Sequence, residues 1–74
     1  MVLPLSEIET ESTAIIREIR NTPLALRLYE LGFTIGTEIK ALFKSTKENC
    51  TAYLIKGTVI ALRQEDARNI NVLI

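Results

Sequence analysis

Three glutamates at alternate positions, Glu7, Glu9 and Glu11, crowd metal-ligating oxygens into one short stretch. In extended chain they share a side and would attract a divalent cation. Exposed carboxylates alone hold such ions weakly and with little selectivity, and the plainer reading is a solvated acidic loop. Glu65 and Asp66 form a second acidic pair, placed as in the first turn of a short helix. The sequence has one thiol, Cys50, and no histidine. It therefore lacks the commonest metal ligand and the usual general base near neutral pH. With no basic partner to activate it, Cys50 reads as a small packing residue. No phosphate-cradling glycine loop is present. These features point away from an enzyme: no catalytic residue, no cofactor and no dedicated metal site is expected, only weak binding of a divalent metal.

Recognition chemistry is better represented, and one stretch carries it: TPLALRLYELGFTIGT, Thr22 to Thr37. Thr22 is placed to cap a helix, and Pro23 at its first position gives up only an unpaired N–H. The helix spans about 23–31. Leu24, Leu28 and Leu31 recur at helical spacing and form its core stripe. Gly32 stands where a left-handed terminating residue is needed, and Gly36 turns the chain again before Glu38. Leu26 projects well away from the stripe, while Ala25 and Tyr29 lie on its flank. Left uncovered, Leu26 and Tyr29 would make an apolar patch large for so small a protein, the mark of a contact surface. The alternative is a helix buried on two sides. Arg27 either contacts a partner, pairs with Glu30 or caps backbone carbonyls. Leu26, Arg27 and Tyr29 are thus the candidate partner-binding residues. Arg63, with Arg17 and Arg20, forms a weaker candidate for a charged rim.

The elements that must position these residues are mostly strands. Pro4–Ile8 reads as a single turn with Leu5 and Ile8 inward, and Glu9–Ser12 as a polar loop. Thr13–Ile19 alternates Ala14 and Ile16 against Ile15, Arg17 and Ile19, apolar on both faces as in a strand closing a barrel. Glu38–Lys44 sets Ile39, Ala41 and Phe43 against Glu38, Lys40, Leu42 and Lys44. Ser45–Asn49 is a hairpin loop, Thr51–Lys56 its return strand, and Gly57 a tight turn into Thr58–Leu62. Gln64–Arg68 is a polar turn with Ala67 inward, followed by a last strand, Asn69–Leu73. Five short strands and one helix in 74 residues imply a small barrel or a tightly curled sheet.

Length limits the whole to one domain, residues 1–74, of modest stability. A lone cysteine suits a reducing compartment. No apolar run approaches the ~20 residues of a membrane span, and Met1–Ile8 lacks the basic start of a signal peptide. A cytoplasmic protein is expected, or one held at the inner face of the membrane through its partner. Nine basic residues balance nine acidic ones, and no strand face interleaves basic with aromatic residues. Both features weigh against a nucleic-acid binder.

The segment Arg27-Leu28-Tyr29-Glu30-Leu31-Gly32-Phe33, continued by Gly36-Thr37-Glu38-Ile39, resembles the RLxELGxxxGTxI core of the FeoA family. Lys56-Gly57-Thr58-Val59-Ile60-Ala61-Leu62-Arg63, with Ala67, Ile70 and Val72, is similar to that family's closing pattern, and Leu5-Ser6-Glu7-Ile8 to its first turn. The sequence departs from the pattern near Glu11–Ser12, which lacks a glycine, and in the hairpin KSTKENC, which lacks a proline. The resemblance implies a mainly β, five-stranded SH3-like barrel with helical insertions. It further implies a non-catalytic accessory of ferrous iron uptake, acting beside the FeoB membrane transporter on its cytosolic G-domain region. The same barrel ends iron- and manganese-dependent repressors, so the resemblance implies as the alternative a stand-alone metal-responsive regulatory module that weakly binds Fe²⁺, Mn²⁺ or another divalent metal at its surface carboxylates. No helix-turn-helix precedes the barrel, as a complete repressor would require. A strand edge or the Leu26 patch would support a weak homo-oligomer.

Overall fold

In the computed structural model, which describes residues 1–74, the chain folds as a single curled antiparallel sheet with its apolar side chains gathered inside. Its strands are β1 (Val2–Pro4), β2 (Thr13–Ile19), β3 (Glu38–Ser45), β4 (Cys50–Ile55), β5 (Thr58–Arg63) and β6 (Ile70–Leu73). Two short helices interrupt them, α1 (Ala25–Glu30) and α2 (Gln64–Ala67), and a 3₁₀ turn covers Leu5–Glu7. The order across the sheet is β1-β6-β2-β3-β4-β5, leaving β1 and β5 at its edges. The fold is mainly β and SH3-like, as expected. The sixth strand is an addition: β1 is three residues long and ends in Pro4, so it carries no periodicity a sequence could display. Its register, Val2 opposite Leu73 and Pro4 opposite Asn71, brings the first and last residues of the chain together.

Two irregularities decide which side chains enter the core. Between Ile16 and Glu18 the register of β2 on β6 shifts by a residue. Ala14, Ile16 and Ile19 consequently all lie inside, where unbroken alternation had put Ile19 with Ile15 and Arg17. A second shift, between Ala41 and Phe43, acts on β3. Ile39 and Ala41 are buried as expected, but Phe43 is turned outward and is 60% exposed. The core is closed instead by Phe33, Tyr53, Ile55, Leu62, Ile70 and Val72, with Leu5 and Ile8 of the first turn packed beneath.

Each hairpin is made by local chemistry. Lys56 and Gly57 join β4 to β5 with φ of 48° and 76°, two left-handed residues in succession as the two-residue hairpin turn requires. Ile55 then faces Thr58, and pairing runs unbroken to Cys50 opposite Arg63. Cys50 is half-buried at the start of β4, and its thiol donates weakly to the Glu48 carbonyl at 3.4 Å. α2 carries the chain from the β5 edge towards β6, with Ala67 fully buried as the polar-turn reading required.

Candidate functional site

The helix that presents the candidate contact residues is shorter than its sequence suggests. It starts at Ala25, and Thr22 contributes its backbone carbonyl to the Ala25 N–H at 3.0 Å rather than a side-chain cap. With Pro23 in front, the first turn is a reverse turn that leads into α1. At the other end Gly32, at φ 104°, closes the helix. The Phe33 N–H donates to the Leu28 carbonyl at 2.9 Å and the Gly32 N–H to that of Tyr29 at 3.1 Å. This nested pair satisfies two carbonyls that the last turn would leave open, and it brings Phe33 onto Leu28.

That closure decides the fate of the leucine stripe. Leu28 is buried and Leu24 packs partly against the core, but Leu31 is 43% exposed. The expectation that Leu31 is core is corrected: it caps the end of α1 at the surface, and the chain turned at Gly32 buries Phe33 instead. Leu26 is 71% exposed and Tyr29 43%, so the helix is covered on one side only. Arg27 is exposed and makes no ion pair; the one salt bridge in the molecule joins Arg63 to Glu65 at 3.6 Å, on the surface. Pro23, Leu26, Arg27, Glu30 and Leu31 line a shallow concavity along this face. The structure therefore brings Leu26 and Arg27 together, leaves Tyr29 beside them, and adds Leu31 and Pro23. The sequence signal for Leu31 was its place directly before Gly32, at the last residue the helix can hold.

The acidic positions behave differently. Glu7 lies in the 3₁₀ turn, and the chain then reverses, with the Ser12 N–H donating to the Glu9 carbonyl and Glu11 at φ 74°. The extended alternation that would align the three carboxylates is absent. No three His, Cys, Asp or Glu side chains anywhere in the chain are grouped to hold a metal ion. Arg63 is held near Glu65, and Arg17 sits at the bulge of β2.

One buried polar group ties the barrel to the N-terminal turn. Tyr53, 1% exposed, donates its hydroxyl to the Leu5 carbonyl at 3.4 Å. Burial pushes that hydroxyl above its ordinary pKa of 10.0. Thr51, next but one along β4, buries its Oγ1 with no hydrogen-bond partner.

A curled antiparallel sheet of six short strands with a helix covered on one side only defines a small SH3-like domain. The FeoA domain model matches residues 3–73, and the chain belongs to the FeoA family. The family is linked to ferrous iron transport. A crystal structure of an iron uptake regulatory protein, FeoA, is 26% identical over 99% of this chain and 96% of its own, with a TM-score of 0.85. The FeoA of Stenotrophomonas maltophilia, crystallised with zinc, is 29% identical over 97% of this chain and 88% of its own, with a TM-score of 0.81. A manganese-dependent transcriptional repressor shares the fold at 18% identity, over 97% of this chain but 41% of its own, with a TM-score of 0.86. Comparison with curated proteins gave no match. No helix of the chain is long and apolar enough to cross a membrane.

Proposed function

We propose that this chain is a non-catalytic cytosolic accessory protein of ferrous iron uptake, which binds the cytosolic G-domain region of a FeoB-type transporter through α1. The observation that supports this reading is Leu26, 71% exposed on a helix whose other face is pinned into the core. Family membership supplies the transport context. Leu26 and Leu31 would be the apolar centre of the contact and Tyr29 its amphipathic margin, a composition typical of interface anchors. Burying Leu26 alone is worth about 1.5–3 kcal/mol. Arg27, free of any intramolecular ion pair, supplies a guanidinium for a carboxylate on the partner and so sets orientation.

The test is binding of the purified protein to the transporter's cytosolic region, with and without guanine nucleotide. Leu26→Asp combined with Tyr29→Ala is expected to abolish binding while a dispersed amide spectrum shows the fold intact. Arg27→Glu should slow association and reduce its salt dependence. A double variant that is folded and binds as tightly as the unaltered protein would remove α1 as the contact face.

A further inference from the structure

The sheet has two edges, and they are protected very unequally. β1 is short, ends in Pro4 and is joined to the C-terminus by the bond from the Ile74 N–H to the Met1 carbonyl. β5 has six residues, no proline and no bulge. Natural edges are usually blunted by one of those devices or by charge, and on β5 only Arg63, at the strand's end, is charged.

The turn at Lys56–Gly57 fixes which backbone groups that edge offers. A two-residue hairpin makes its flanking residues, Ile55 and Thr58, a hydrogen-bonded pair. Alternation then directs Thr58, Ile60 and Leu62 towards β4 and leaves the N–H and C=O groups of Val59, Ala61 and Arg63 facing outward. None of these three residues takes part in the backbone hydrogen bonds made outside the helices and ladders. Their side chains are exposed as well, on the outer face of the sheet.

We propose that this edge is a self-association surface: a second copy of the chain adds its own β5 antiparallel, about a two-fold axis through Ala61. In that register Ala61 faces Ala61 of the second copy and Val59 faces Arg63. These are the residues with free backbone groups, so each pair exchanges both N–H···O bonds. Registers centred one residue to either side place fewer of the free groups opposite one another. The side chains agree with this register. On the outer face the strand pairing lines up Phe43, Ala52 and Ala61 in one row and Lys40, Leu54 and Val59 in the next. Joining two copies at Ala61 extends the first row from Phe43 of one copy to Phe43 of the other. The bulge in β3 that turns Phe43 outward, at 60% exposure, thereby acquires a purpose.

Charge points to the same occupant. β5 is entered from Lys56 and ends at Arg63, which pairs with Glu65 and leaves Asp66 as the unpaired acid beyond it. Antiparallel self-pairing about Ala61 brings Lys56 of each copy towards the end of its mate that carries Asp66. With nine basic and nine acidic residues, two copies approach without net repulsion. A contact of one strand edge is small, so the dimer is weak and dependent on concentration. It uses residues distinct from Leu26, Arg27 and Tyr29 and leaves them free for a partner.

Sedimentation equilibrium of the full chain, from micromolar to millimolar, tests the inference. The expected result is a mass rising from 8.3 kDa towards twice that value. Ala61→Lys and Ala61→Glu should each hold the protein monomeric, because each sets like charges face to face across the axis. An equimolar mixture of the two should dimerise again, a rescue that only a two-fold axis at this residue provides. Amide spectra check that both variants are folded, and Leu26→Asp should leave the dimer unchanged. A chain monomeric at millimolar concentration overturns the proposal and leaves the edge to an extended segment of another protein. Association untouched by both substitutions, or a mixture that stays monomeric, overturns it equally.

Discussion

Gly32 shows how much one residue controls here. Its φ of 104° is a conformation that side-chain-bearing residues rarely adopt, and a Cβ at this position would lie 3.2 Å from Cδ of Lys56. The two penalties have different sources, one in the backbone and one in the lysine stem that lies across the helix end. Gly32→Val is expected to destabilise the fold by about 1–3 kcal/mol, read as a lower urea midpoint at unchanged slope. Lys56→Ala in the same background should return the steric part of the loss and leave the backbone part. Gly36 offers the contrast: its φ is 90° but nothing lies within 4 Å of a Cβ there, so only the backbone cost applies. Because Gly32 ends α1 where it does, it also sends Phe33 inward and leaves Leu31 beside Leu26. The exposed apolar face of α1 is thus partly a consequence of a helix cap.

Among the elements, β3 best separates pattern from structure. Its alternation gives Phe43 the same inward assignment as Ile39 and Ala41, and a single shift of register after Ala41 reverses it. Phe33 sits in an irregular connection with no periodicity to recommend it, yet it is fully buried. Truncating the two should give very different results. Phe33→Ala is expected to cost about 3–5 kcal/mol, as for other buried aromatic residues, and Phe43→Ala within about 0.5 kcal/mol of nothing. Paired urea titrations would show this directly, and equal losses would mean that Phe43 is packed after all. β2 makes the same point through Ile19, which the bulge after Ile16 carries into the core.

At the scale of the molecule, stability depends on closing the curled sheet over its N-terminal turn, and Tyr53 makes that closure titratable. Burial raises its hydroxyl pKa above 10.0, so in alkali the unfolded chain gives up this proton more readily than the folded one. The folded form then binds more protons than the unfolded form, and stability falls as pH rises. The contribution is fully present below about pH 10 and is lost as pH climbs through the raised value. Thermal unfolding monitored between pH 8 and 12 should show Tm declining in that upper range. Tyr53→Phe should flatten the decline, while Tyr29→Phe, at an exposed position, should leave it as it was.

Much of this protein was legible in its residues. Strand positions followed from period-two runs of β-branched and apolar side chains, and the turns from Gly32, Gly36 and Gly57. The FeoA core motif was readable as a resemblance, and helical spacing alone set Leu26 apart from the leucine stripe. These features are local, because propensity, capping and turn chemistry act within a few residues. Tertiary structure decided the rest. β1 exists only because β6 offers it an edge, the bulge in β2 arises from pairing with the distant β6, and the shift in β3 from its pairing with β4. Leu31 lies at the surface because α1 ends beside it and Gly32 turns Phe33 into the core, and the glutamates are separated because the chain reverses at Glu11. In each case pairing register or chain reversal overrode a valid alternation, since a core can be filled by whichever side chain the register delivers to it.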